Sequence, residues 1–228
     1  MLIIKRYIRN MRDGYHHNSS YWKNIRMNLP ILPGFLREIA IAMVLSDAGL
    51  AWTSNEVHMK IEQGYKQKNF VFKLFDLFKD YCFSVGPQEY VPKKGVRAGL
   101  VKSYWFKTFS HPSFTEIWNL FYIDGVKTIQ PGIVVDNLSG LGLAYWIMSD
   151  GSLQKDHKTM IIHSQSFTQV ENELLSKELN AKFGLDSCVI PHKDTYWVIQ
   201  IPAKDAAVLY QHIAPHMLPY FNYKLPIL

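Results

Sequence analysis

Residues 39–49 read IAIAMVLSDAG, and residues 141–151 read LGLAYWIMSDG. Both stretches are apolar, place small residues early and end in Ser-Asp with a Gly close behind. Their aspartates are Asp47 and Asp150. Two further pairs keep the same order along the chain. Ser103-Tyr104-Trp105 is echoed by Thr195-Tyr196-Trp197, and Lys127-Thr128-Ile129 by Lys224-Leu225-Pro226. Spacings that drift by a few residues suit two diverged copies of one unit with different loop lengths.

Local patterns around the anchors agree between the copies. Phe35 to Leu45 reads as an apolar helix, and Val57-His58-Met59-Lys60-Ile61-Glu62 alternates as a strand with one buried face. Asn69 to Tyr81 is an amphipathic helix. Residues 85–92 and 100–109 read as strands joined by the basic turn Lys93-Lys94-Gly95-Val96-Arg97. Ser113 with Glu116 suggests a capping box for a helix to Ile123. In the second copy, 158–164 reads as a strand, and Thr168 with Glu171 opens a helix to Phe183. Strands at 187–191 and 195–201 and a helix over 204–213 follow. The pattern predicts an α+β chain of two pseudo-symmetric αββαββα halves, 35–127 and 138–228. A linker at 128–137, containing Pro131-Gly132, joins them, and a basic arm, 1–34, precedes them.

The composition narrows the function classes. The 228 residues are 48% hydrophobic and 14% aromatic, enough for a packed core rather than a disordered chain. No apolar run approaches the roughly 18 residues of a membrane span, so no membrane is expected. Two distant cysteines, Cys82 and Cys188, exclude a disulfide scaffold and a cysteine-based zinc site. Lys5, Arg6, Arg9, Arg12, Lys23, Arg26 and Arg37 face a single acid, Asp13, in residues 1–37, so the formal net charge of +6 falls there. Such an arm suits phosphates, an anionic surface or an import signal. No GxxxxGK[ST], HExxH or GxSxG occurs. His212 and His216 stand four apart, but Pro215 between them spoils the helix a two-His zinc site needs.

Helices that are apolar all round should be buried. Ala40, Ala42, Gly140, Gly142 and Ala144 would let two backbones approach closely. The simplest arrangement packs the motif helices together at a central pseudo-dyad and brings Asp47 and Asp150 side by side. An exposed carboxylate at a helix C-terminus costs about 0.3–1 kcal/mol against the macrodipole. Two adjacent carboxylates also repel. A hard divalent cation would relieve both costs.

These residues resemble the LAGLIDADG homing endonucleases in their single-chain, two-repeat form, over residues 35–228. LAYWIMSDG, SQSFT (164–168) and YKLP (223–226) resemble mitochondrial intron-encoded members in particular. The first motif departs from the signature, with Ala42 where the family often has Gly. The resemblance implies metal-dependent hydrolysis of double-stranded DNA at a long asymmetric target, by a monomer with Mg²⁺ or Mn²⁺. Asp47 and Asp150 would be the catalytic, metal-binding acids, assisted by the carbonyls of Ser46 and Ser149. Lys127 and Lys224 would be catalytic basic residues beside them, polarising water or stabilising the phosphorane charge, with simple phosphate anchoring as the plainer alternative. Glu62 and Gln165 would lie at the periphery. Two antiparallel sheets would form a DNA-binding saddle carrying Lys60, Lys93, Lys94, Arg97 and Lys102 in one half. The other half would contribute Lys155, Lys158, His163 and Lys193, with His192. The resemblance also implies an organellar protein, mitochondrial before chloroplast. An intron RNA maturase and a catalytically silent DNA-binding relative are the alternatives; intact acids and lysines favour cleavage.

Overall fold

A computed structural model describes residues 12–53, 55–96, 98–193 and 195–228. Contacts divide the chain into two compact units, Met1–Leu36 with Asp47–Glu116, and Arg37–Ser46 with Ile117–Leu228. Most of the first motif helix therefore packs within the unit that holds the second.

The first unit opens with α1 (Ser20–Asn28), where the Ser19 side chain accepts from the Trp22 N–H as an N-cap. These residues fall inside the expected basic arm, yet Trp22 is fully buried. Its ring meets Phe83 and Phe109 edge-on or tilted at 5.3 and 5.4 Å, and its indole N–H donates to the Tyr15 carbonyl. An aromatic with a satisfied N–H is a strong anchor, so charge composition alone misread this segment. Residues 1–11 of that arm lie outside the described residues.

After α2 (Gly34–Leu45) come β1 (Ala48–Thr53), β2 (Glu56–Gly64), α3 (Lys68–Phe78), β3 (Gln88–Tyr90) and β4 (Ser103–Lys107). The strands form one antiparallel sheet in the order β1-β2-β4-β3. Val57, Met59 and Ile61 are buried on one face, while His58, Lys60 and Glu62 point to the other, as the alternation requires. The strands expected at 85–92 and 100–109 are shorter. Pro92 cannot donate to a ladder, and Gly95 and Gly99 sit at φ 91 and 79, so residues 91–96 and 98–102 lie outside the strands.

The next helix, α4, spans Pro112–Phe121. It starts one residue before Ser113, so the expected capping box does not form. His111 takes the cap, accepting at Nδ1 from the Ser113 N–H, while the Ser113 hydroxyl accepts from the Leu32 N–H. The helix also ends before Ile123. Asp124 and Gly125, at φ 50 and 79, turn the chain into a hairpin of β5 (Tyr122–Ile123) and β6 (Val126–Lys127).

In the second unit, α5 (Gly140–Asp150) is buried from Gly142 to Met148. It is followed by β7 (Gly151–Leu153), β8 (Met160–Ile162), α6 (Gln169–Phe183), β9 (Cys188–His192), β10 (Tyr196–Ile201) and α7 (Ala206–Ile213). The sheet order β7-β8-β10-β9 repeats that of the first unit. The capping box of Thr168 and Glu171 forms as expected, and Gly184 closes α6 at φ 66. β8 is shorter than 158–164, because the Asp156 carboxylate takes the N–H groups of Lys158 and Thr159 for a turn.

Sheet pairing also corrects one repeat anchor. Phe106 lies opposite Ile61, and Ile199 opposite Ile162, so Tyr104 answers Trp197 rather than Tyr196. A slip of one residue moves a side chain to the opposite face.

Candidate active site

Each motif aspartate stands where its helix gives way to the first strand of a sheet. Asp150 is the last residue of α5, and its carbonyl accepts from the His163 N–H at 2.9 Å. Gly151 follows, where a Cβ would stand 2.6 Å from the Ile147 carbonyl oxygen. Asp47 stands two residues past the end of α2, immediately before β1. The Ser46 hydroxyl is turned back on its own helix and donates to the Ala42 and Met43 carbonyls at 3.2 and 3.1 Å. Ser149 lies within the last turn of α5.

The two expected lysines occupy matching places. The Lys127 Nζ donates to the Val44 carbonyl at 2.5 Å. The Lys224 Nζ donates to the Ile147 and Met148 carbonyls at 3.1 and 2.7 Å. Val44 precedes Asp47, and Ile147 precedes Asp150, by the same three positions. Each ammonium therefore meets the negative end of a motif helix beside the catalytic candidate, where a cation is favoured. The routes differ. The tight Tyr122–Lys127 hairpin delivers Lys127, which also lies 5.3 Å from the Phe167 ring centroid. A 3-10 turn, Pro219–Lys224, delivers Lys224, which is buried with its ammonium 5.1 Å from the Phe221 ring centroid.

The peripheral pair is resolved differently from expectation. Register makes Ile61 and Ile162 equivalent, since they face Ala48 and Gly151. The partner position of Glu62 is therefore His163, not Gln165. Glu62 accepts from Lys60 at 2.6 Å and from the Ser103 hydroxyl at 2.5 Å. Burial pushes its carboxyl pKa up, but those bonds and the charges of Lys60 and Lys102 outweigh it and hold it below the usual value. His163 is hydrogen-bonded to Ser152 at 2.7 Å and to Gln165 at 3.2 Å. Burial, then the charges of His192 and Lys224, keep its pKa below 6.5. Gln165 thus touches the site through His163.

The other expected DNA contacts are spread over the strands and loops. Lys60 lies on the open face of β2, 5.3 Å from the Trp105 ring centroid. Lys93 and Lys94 are exposed between β3 and β4, and Lys102 lies 5.9 Å from the Tyr90 ring centroid. Lys155 and Lys158 are exposed in the turn before β8, and Lys193, at φ 55, in the turn before β10. Arg97 lies outside the described residues. Lys107, opposite Lys60 on that same open face, had no repeat or motif to mark it, and Trp105, opposite Glu62, stood out only as a repeat anchor.

The LAGLIDADG DNA endonuclease family model matches residues 37–209. The chain belongs to that family. A probable intron-encoded DNA endonuclease 3 of Mycosarcoma maydis is 48% identical over 56% of this chain and 96% of its own length. A probable intron-encoded endonuclease 1 of Wickerhamomyces canadensis is 27% identical over 98% of each chain. The solved homing endonuclease I-WcaI, bound to its DNA recognition sequence, superposes with a TM-score of 0.84 at 26% identity, over 93% of this chain and 95% of that one. The two-repeat LAGLIDADG fold thus accounts for both units and for the repeated sheet order.

The donor set fits a cation that is not enclosed by protein alone. Among the described residues, no three His, Cys, Asp or Glu side chains gather as a metal cage. Magnesium is commonly held by one or two carboxylates with substrate phosphates and waters, and a helix-end aspartate in each unit suits that mode.

Proposed function

We propose that the chain is a site-specific homing endonuclease that hydrolyses both strands of a long DNA target, using Mg²⁺ or Mn²⁺. The observation that carries this reading is a constellation that occurs once in each sequence repeat. Each has an aspartate where a buried helix meets the first strand of a sheet, and a lysine ammonium on that helix's last carbonyls.

Asp47 and Asp150 supply carboxylate oxygens for a cation, with the Ser46 and Ser149 carbonyls alongside. A bound divalent cation supplies activation of water and neutralisation of charge at the scissile phosphate. Lys127 and Lys224, fixed on helix carbonyls, hold positive charge at those positions and stabilise the oxygens that gain charge during displacement. Neutral His163, held through Nε2 by Ser152 and through Nδ1 by Gln165, is a positioning group beside Asp150, whose carbonyl accepts from its backbone N–H. Glu62, anionic between Lys60 and Ser103, has the same place in the first unit. Lys60, Lys93, Lys94, Lys102, Lys155, Lys158 and Lys193 supply phosphate affinity without base choice.

A protein of this kind acts as a monomer encoded within a group I intron, in a mitochondrion. The purified chain with Mg²⁺ is expected to linearise a plasmid that carries the intronless host-gene junction, and to spare the same plasmid with the intron inserted. Splicing stimulation of the intron RNA without any DNA cleavage would instead establish the maturase reading.

A further inference from the structure

A groove of about 950 Å³ lies within the first unit, between α1 and the open face of the sheet. We propose that α1 forms the second wall of a clamp for the DNA sugar–phosphate backbone. It would extend the footprint beyond the sheet, with Lys23 and Arg26 opposing Lys107. This rests on the endonuclease reading and adds to it an element outside the two repeats.

Three observations support the clamp. The first is charge. Lys23 and Arg26 on α1 and Lys107 on β4 line the groove together with His17 and His58. Glu56 is the single acid in the lining among the described residues, and its carboxylate accepts from the Thr115 hydroxyl. The second is rigidity, since a clamp needs a fixed wall. Besides the buried Trp22, the Arg12 N–H donates to the Phe83 carbonyl at 2.7 Å, and its guanidinium donates to the Lys79 carbonyl at 3.0 Å. The third is an unmet donor. The Arg26 Nε is buried and has no hydrogen-bond partner among the described residues, and its guanidinium lies 5.8 Å from the Phe83 ring centroid. Buried donors normally have acceptors, and an Arg26 side chain turned toward the groove would exchange this unmet state for a bond to a phosphate oxygen. The histidines register the same field: burial lowers the pKa of both, followed at His17 by the charges of His16, Lys107 and Arg26 and at His58 by that of Lys107.

The ligand is a polyanion of regular spacing rather than a small metabolite. The groove runs along a sheet face and is flanked by exposed Lys60 on β2, directly opposite Lys107. Phosphates bound by α1 would lie against the same face that carries Lys60 and Trp105.

The test uses the full chain, a fluorescent random-sequence duplex as probe, and EDTA to prevent cleavage. Association constants are measured against salt for the wild type, for the Lys23→Ala/Arg26→Ala variant and for Lys23→Glu. Each lost phosphate contact removes about 0.9 from the log–log slope, so the double variant is expected to show a slope shallower by roughly 2, with unchanged circular dichroism. Lys23→Glu, at an exposed position, keeps the test valid if the Arg26 change disturbs folding, and should weaken duplex binding more than neutralisation does. Identical slopes and affinities for all three proteins would overturn the clamp while leaving the endonuclease reading intact. A loss confined to intron RNA, with duplex binding unchanged, would also overturn it. A wild type that binds the duplex with no salt dependence would instead remove the endonuclease reading on which the clamp rests.

Discussion

Lys224 shows how one side chain can serve both fold and chemistry. A buried ammonium needs acceptors, and the Ile147 and Met148 carbonyls at the end of α5 provide them. The same charge offsets the unfavourable placement of Asp150 at a helix C-terminus. Sequence reasoning anticipated a cation to relieve that cost; the lysines relieve part of it within the protein. Lys224→Met keeps the stem but leaves acceptors unmet, so unfolding should become easier by about 1–3 kcal/mol, with slower single-turnover cleavage. An unchanged denaturation midpoint would show that the ammonium has no part in holding the helix end. Lys127 is only half-buried, so Lys127→Met should affect the rate more than the stability.

Elements differ in how far their sequence announced them. The motif helices were legible because uninterrupted apolar residues before Ser-Asp leave few alternatives, and α6 because Thr168 and Glu171 satisfy each other locally. The hairpin that delivers Lys127 was missed although its Asp124-Gly125 turn is a known signal; two-residue strands have too little periodicity to notice. The β8 boundary was misplaced because a side chain, Asp156, outcompeted the ladder for backbone N–H groups. Those bonds, led by the Thr159 hydroxyl, hold the Asp156 pKa at about 2 against an ordinary 3.8. Its stabilisation of the turn is therefore complete above pH 3.8 and is lost as pH falls through about 2. An NMR titration of the Asp156 carboxyl carbon should show that low midpoint; a midpoint near 3.8 would mean the turn is open. The α1 helix hid behind its charges. Trp22→Ala should destabilise the first unit by about 3–5 kcal/mol, and calorimetry showing no change would return this segment to a free arm.

At the scale of the whole molecule, duplication was the most legible feature and register the least. The order of strands repeats between units, and an aspartate and a lysine recur in each sequence repeat. Yet the equivalence of Glu62 with His163 became visible only through pairing, because the connection from first to second strand is two residues shorter in the second copy. The two sites are therefore alike in their acids and ammonium groups and unlike in the group beside them, an anionic carboxylate in one and an imidazole in the other. Charge also reads differently at this scale. The formal excess in residues 1–37 includes Lys23 and Arg26 on a folded helix lining a groove, so part of that charge belongs to the body of the first unit.

The central claim is that one aspartate per repeat carries DNA cleavage. It is tested most directly by comparing wild type with Asp47→Asn/Asp150→Asn on a plasmid bearing the intronless junction, with Mg²⁺, alongside a binding measurement in calcium. The expected result is linear product from the wild type, none from the double variant, and duplex affinity within a few fold of wild type. Cleavage by the double variant at the wild-type rate would contradict the account.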